Sequence, residues 1–183
     1  RTPATHWGQR GQLPVHITDP LGQVSRLSWD VRAGLPLSFT DPNGAVSRWT
    51  YDSFGRLLSE KQPDFTSTAW TRESCASTCD VRAKYRIRQD DQDDGGNVRA
   101  TSWLEIDAFN RGFRLETEQP GGGRSVTALD ADERGRVSRR YLPHWDGDVA
   151  PGYLQWSYDT LGRVTAERLF AADGNIVRLS SIS

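Results

Sequence analysis

The stretch Trp49-Thr50-Tyr51-Asp52-Ser53-Phe54-Gly55-Arg56-Leu57 returns later in the chain as Trp156-Ser157-Tyr158-Asp159-Thr160-Leu161-Gly162-Arg163-Val164. Seven of the nine positions agree in identity or apolar character, so this is a repeated structural unit. In an extended strand, Trp-x-Tyr puts both rings on one face. The Asp that follows can accept hydrogen bonds from backbone amides ahead of it and start a type I turn. Gly then stands where the chain needs a left-handed residue, and the Arg-apolar pair opens a return strand. The unit is a β-hairpin with a short, bulged loop.

Three looser copies fit the same frame. Leu104-x-Ile106-Asp107-x-Phe109-Asn110-Arg111 has Asn110 in the glycine position, and asparagine is the other residue that tolerates positive φ. Leu129-x-Ala131-Asp132-x-x-Gly135-Arg136-Val137 keeps Asp, Gly and Arg but loses the aromatic, and Leu27-x-Trp29-Asp30-x-x-x-Gly34-Leu35 gains one residue in the turn. Between the hairpins lie turn-rich links: Thr18-Asp19-Pro20-Leu21-Gly22, Thr40-Asp41-Pro42-Asn43-Gly44, Gln119-Pro120-Gly121-Gly122-Gly123 and Ala172-Asp173-Gly174-Asn175. The spacing from Asp19 to Asp41 holds two short strands and two turns. No amphipathic helix of useful length is visible.

The expected fold is therefore all-β: consecutive antiparallel hairpins in a curved, twisted sheet. Residues 1–12 read as a preceding repeat or linker and 13–63 as repeats. Residues 64–97 read as an irregular insertion carrying Cys75 and Cys79, and 98–183 as repeats truncated at the C-terminus. A single hairpin is marginal in water, so each must bury its ring-bearing face against neighbours. An excised ribbon has two open edges, so edge-strand self-association is expected.

The 183 residues suffice for a cored domain without metals or disulfides, and a net charge of −1 leaves no basic footprint for nucleic acid. No apolar run approaches the roughly 20 residues of a membrane helix. The lack of methionine and of a signal-peptide pattern at Arg1-Thr2-Pro3-Ala4 reads as a piece of a longer chain.

On Tyr51-Asp52 and Tyr158-Asp159, each followed by an aromatic or leucine, Gly and Arg, and on Asp41-Pro42-Asn43-Gly44, the sequence resembles the YD-repeat family of bacterial Rhs proteins, ABC toxin complex shell components and animal teneurins. A looser similarity to the B-component or SpvB-like branch rests on Cys75-x-x-x-Cys79, Ile106 to Arg111 and Ser138 to Pro143. The resemblance implies a β-ribbon spiralling into a hollow shell around a toxic C-terminal domain or other cargo. It implies as partners the remaining repeats of the parent chain and other toxin-complex components. It also implies a secreted or bacterial cell-surface location. The signature residues are Trp29, Asp30, Gly34, Trp49, Tyr51, Asp52, Gly55, Arg56, Asp107, Asn110, Arg111, Asp132, Gly135, Arg136, Trp156, Tyr158, Asp159, Gly162 and Arg163, all in structural roles.

Other chemistry is thin. Cys75 and Cys79 form a local disulfide or a pair of free thiols; a zinc site would need distant ligands from His6, His16 or His144. Asp90-Asp91-Gln92-Asp93-Asp94-Gly95-Gly96 lacks the order of a calcium loop and has Thr101 where the closing glutamate belongs, so it reads as a solvated acidic loop. The Asp19-Pro20-Leu21-Gly22 and Asp41-Pro42-Asn43-Gly44 pieces are turns rather than parts of an aspartyl autoprotease. No triad, phosphate loop or cofactor motif appears, so an enzyme is not expected, and neither a cofactor nor a metal. The rival reading is a carbohydrate-binding or adhesive surface module, since repeated Trp and Tyr beside Arg and Asp can make such a face. Exposure of Trp49 and Trp156 separates the two.

Overall fold

The computed structural model describes residues 3–8, 11–75 and 79–181, and among these sixteen β-strands pair antiparallel and no helix forms. No helix is long and apolar enough to cross a membrane. Residues 1–71 and 89–99 make up one compact unit, and residues 72–88 and 100–183 a second.

The first unit is a meander. Its strands are β1 (Ala4–Trp7), β2 (Pro14–Thr18), β3 (Val24–Asp30), β4 (Leu35–Thr40), β5 (Val46–Tyr51) and β6 (Leu57–Lys61). It also takes in the start of β7 (Ser67–Ser74), the end of β8 (Ala83–Gln92) and the start of β9 (Val98–Asp107). Each of β1 to β6 pairs with its sequence neighbours. Registers such as Ser28 opposite Ser38 and Thr50 opposite Ser59 let facing hydroxyls bond at 2.6 Å. The Trp29 indole donates to the Pro14 carbonyl at 2.7 Å. None of the unit's described residues is fully buried; side chains on both faces are half-covered by their neighbours. Cross-strand pairs, each contributing about 0.2–1 kcal/mol, therefore carry its stability in place of a core.

Residues 64–97 differ from the irregular insertion expected above, because β7 and β8 fill most of them. Their pairing is polar. In the first unit Ser67 bonds Gln92 at 3.0 Å, Thr68 bonds Asp91 at 2.8 Å, and the Trp70 indole donates to Gln89 at 3.1 Å. In the second unit Arg86 meets Glu73 at 2.7 Å. The acidic run is likewise not a free loop: Asp90 to Gln92 end β8 and Asp93 begins a hairpin turn.

The second unit contains the rest of β7, β8 and β9, then β10 (Gly112–Glu118), β11 (Arg124–Ala131), β12 (Val137–Tyr141), β13 (His144–Trp145), β14 (Gly152–Tyr158), β15 (Val164–Ala171) and β16 (Ile176–Ser181). The strand order is β9-β10-β11-β12-β14-β15-β16, with β13 off this path and paired to β11. Here there is a core. Register places Trp103 opposite Glu116 opposite Val126, and Glu105 opposite Arg114 opposite Ala128, all on one face. Trp103, Ile106, Phe113, Val126 and Ala166 are buried, together with Thr101, Glu105 and Glu116. Two segments cover this face. Asp80 donates its backbone N–H to Glu105 at 3.1 Å while the Arg82 guanidinium lies 4.5 Å over the Phe113 ring, and Asp146 pairs with Arg114 at 2.7 Å.

Candidate functional site: the Asp turns and the arginines between them

One turn recurs ten times among the described residues, starting at 19, 41, 52, 62, 93, 107, 119, 132, 159 and 171. At Asp52, the Gly55 N–H donates to the Asp52 carbonyl at 3.0 Å, and the Asp52 N–H donates to the Arg56 carbonyl at 2.9 Å. That is a type I turn closed by a bulge residue in the left-handed region, with Gly55 at φ 78°. The Asp52 side chain completes the turn. One carboxylate oxygen accepts from the N–H groups of Phe54 and Arg56, and the other from the Arg56 guanidinium at 2.6 Å. The Arg56 N–H first, then its guanidinium and the Phe54 N–H, hold this carboxyl below the usual aspartate value even though burial opposes them.

The same set of bonds forms at Asp107 with Arg111, Asp132 with Arg136, and Asp159 with Arg163, at 2.7–2.8 Å. Each of these carboxyls is also lowered. The guanidinium bond leads for Asp107 and Asp132, and the Arg163 N–H leads for Asp159. Asn110 takes the bulge position at φ 61°. The links at Asp19 and Asp41 use the same turn, each Asp oxygen accepting two backbone N–H groups. Hairpin and link are thus one device used at both ends of the strands. Three members start without Asp: Gln62, Gln119 and Ala171 take its place, and in the turn from Gln62 to Thr66 the bulge residue is Phe65, at φ 70°. The Asp30 turn is wider, with the Gly34 N–H reaching the Asp30 carbonyl across one more residue.

In the second unit successive turns also grip one another. The Tyr158 hydroxyl donates to the Val137 carbonyl at 2.6 Å, the Arg136 guanidinium lies 4.3 Å over the Tyr158 ring, and Arg134 donates to the Thr160 carbonyl at 3.3 Å. The Tyr85 hydroxyl reaches Asn110 at 2.5 Å. The Tyr-Asp pair therefore has two jobs. Asp shapes its own turn, while Tyr158 ties its hairpin to the one before it.

Trp49 and Tyr51 share a face with Glu60, whose charge, after burial, raises the Tyr51 hydroxyl above its ordinary value. The Trp156 indole donates to Glu167 at 3.0 Å. Trp49 and Trp156 are both half-buried. Cys75 and Cys79 are joined by a disulfide.

Periodicity did not reveal the polar side of the second unit's core. Glu105 is 1% exposed, and burial pushes its carboxyl above the ordinary glutamate value despite the Asp80 N–H and the nearby Arg114 charge. Glu116 is held by Arg114 at 2.9 Å and Arg124 at 3.0 Å. The guanidinium groups of Arg124 and Arg86 lie 4.1 and 5.6 Å over the Trp103 ring, whose buried N–H has no hydrogen-bond partner among the described residues. The Trp103-x-Glu105 alternation was the available signal. A groove of about 800 Å³ in the same unit is lined by residues that include Arg82, Phe113, Asp130, Arg139 and Gln155. Arg82 there is committed to Asp80 and Asp130. Among the described residues no group of three or more His, Cys, Asp or Glu side chains is placed to hold a metal ion.

Antiparallel strands joined by one repeated turn, with arginine and tyrosine linking neighbouring turns, define a repetitive all-β protein. Residues 32–64, which span the Asp41 and Asp52 turns, match the family model described as RHS Repeat. No curated protein sequence matches it. In fold it is similar to the crystal structure of TcdB2-TccC3, with 15% identity and a TM-score of 0.67 over 94% of this chain and 12% of that one. It is similar also to that of TcdB2-TccC3-Cdc42, with 12% identity and a TM-score of 0.71 over 94% of this chain and 14% of that one. The chain thus spans about an eighth of the length of the structures it matches.

Proposed function

We propose that this chain is a wall segment of an Rhs-type shell, a non-catalytic part of an exported bacterial toxin complex that encloses a toxic domain or other cargo. The observation that carries this reading is the tenfold use of one turn, which extends a sheet by identical steps. Each step leaves a strand edge for the next, and the side chains that hold it are engaged with each other rather than directed at a substrate. The Asp and Arg residues of the signature are the joints of the wall, and its partners are further repeats of the parent chain and the material they enclose. The half-buried state of Trp49 and Trp156 fits packing between neighbouring strands better than a bare adhesive face.

The test uses the full parent reading frame, expressed and purified intact. The expected result is a long run of further Tyr-Asp repeats. Electron microscopy should show a closed shell with this segment in its wall, and limited proteolysis should leave the enclosed domain uncut until the shell is unfolded. An open, filamentous array, or cargo that is digested as fast in the intact particle as in isolation, overturns the proposal.

A further inference from the structure

One element of the second unit is not required by the repeat. β12 pairs directly with β14, yet the ten residues between them leave the sheet and lay His144 and Trp145 against Ser125 and Val126 of β11. This excursion is firmly held. The Leu142 N–H donates to the Gly152 carbonyl at 2.9 Å and the Asp146 N–H to the Arg124 carbonyl at 2.9 Å; the Asp148 N–H donates to the Trp145 carbonyl at 3.0 Å, and Asp146 pairs with Arg114. His144 Nδ1 lies 2.9 Å from the Leu142 carbonyl, which fixes that ring and leaves Nε2 without a bond among the described residues.

We propose that the pocket formed by this excursion is a sugar-binding site that takes one neutral hexopyranose residue of a glycan. The proposal goes beyond the wall function and does not depend on it. The pocket has a volume of about 400 Å³, enough for one pyranose ring, and its lining includes Gln119, Ser125, His144, Trp145 and Asp148. The Trp145 ring is 53% exposed on a chain whose other unit-two tryptophans, Trp103 and Trp156, are buried or half-buried. One edge of the ring is backed by the Gly121-Gly122-Gly123 turn, where a Cβ on Gly123 would come within 3.4 Å of it. A single exposed indole is unremarkable by itself. What distinguishes this one is its company: the Asp148 carboxylate and the Ser125 hydroxyl line the same pocket without a hydrogen-bond partner among the described residues, and the His144 Nε2 is likewise unused. An apolar ring face beside a carboxylate, a hydroxyl and an imidazole nitrogen suits the apolar C–H face and the hydroxyl rim of a pyranose. The carboxylate disfavours phosphorylated or acidic sugars. One ring is too few for the aromatic box that a quaternary ammonium needs.

The experiment is a titration of the isotope-labelled protein, following its indole N–H resonances by NMR. The probes are methyl α-mannopyranoside, methyl β-glucopyranoside, methyl β-galactopyranoside and N-acetylglucosamine, with choline chloride as a further arm. Expected is a saturable shift of the Trp145 indole with at least one sugar, at a dissociation constant on the order of millimolar, as befits a small, exposed pocket. Trp145→Ala, followed through the backbone amide resonances of His144 and Asp148 because it lacks the reporting indole, should lose that binding at least tenfold; Asp148→Asn and Ser125→Ala should weaken it severalfold, and Trp7→Ala should leave it unchanged. If Trp145→Ala does not fold, the Asp148 and Ser125 variants decide. No saturable shift with any sugar, shifts that survive both polar substitutions, or an equal response to choline overturns the assignment.

Discussion

Replacing Gly162 isolates what the repeated turn demands of its bulge residue. Gly162 sits at φ 87° in the Asp159 turn, and a Cβ built there meets nothing nearer than the Arg136 guanidinium at 3.8 Å. Space is therefore available, and the whole cost of a side chain is backbone strain. For an L-residue the left-handed region costs about 1–2 kcal/mol. In a chain of this size each kcal/mol lowers Tm by about 2–4 °C, so Gly162→Ala should lower it by about 2–8 °C. Gly162→Val should fall further, because a β-branched residue is a genuine outlier at positive φ. Gly162→Asn should retain most of the stability, since Asn110 already holds the equivalent position at φ 61°. Thermal melts of the four proteins by circular dichroism, run side by side, give the order Gly, Asn, Ala, Val. A Gly162→Ala protein within 1 °C of the parent, equivalent to about 0.25–0.5 kcal/mol at most, or an Asn variant as unstable as Val, refutes the reasoning.

Gly152 should fail for the opposite reason. Its φ is not positive, but a Cβ would land on the Phe170 carbonyl oxygen, so Gly152→Ala should cost at least the 1–3 kcal/mol of an overpacked core, read as a lower urea midpoint. Stability should also fall in acid. The carboxyls of Asp52, Asp64, Asp93, Asp107, Asp132, Asp159 and Asp173 are lowered in the fold, so their contribution is present above the ordinary aspartate value and lost as pH drops through the lowered one. A Tm that stays flat from pH 6 to about 2 would contradict this. Glu105 runs the other way: its raised carboxyl favours the fold when protonated and costs stability as pH climbs from the ordinary glutamate value through the raised one. Glu105→Gln should therefore raise Tm at pH 8 and lose that advantage toward pH 4, and a gain independent of pH would refute it. Removing the Cys75–Cys79 disulfide by Cys75→Ser with Cys79→Ser should cost about 2 kcal/mol, as expected for closing so short a loop, checked by melts with and without a dithiol.

The turns were the legible part of this chain because Asp, Gly and the residue after Gly are all that the turn needs, and all three are spelled locally. Where the spelling changes, reading by residue type loses the turn, as with Phe65 in a glycine position. β7 and β8 were missed for another reason. Their stabilising pairs, such as Thr68 with Asp91 and Glu73 with Arg86, join residues far apart in sequence, and the one alternating stretch, Ala83-x-Tyr85-x-Ile87, is short and runs straight into the acidic residues Asp90 and Asp91. The buried Glu105 and Glu116 were hidden similarly, since the Asp80 N–H that bonds Glu105 and the Arg124 guanidinium that pairs with Glu116 lie on other segments. Register, not composition, brings those groups together.

The first unit, a coreless meander whose strands β1 to β6 each bond only to their neighbours in the chain, has a kinetic corollary. Every loop that must close to add a strand is short, so the entropic toll of ordering is met in small, equal instalments rather than in one long-range search. Such a ribbon can become ordered from one end while the other is still being synthesised. A defect in one hairpin then stalls growth locally without undoing the strands already laid down.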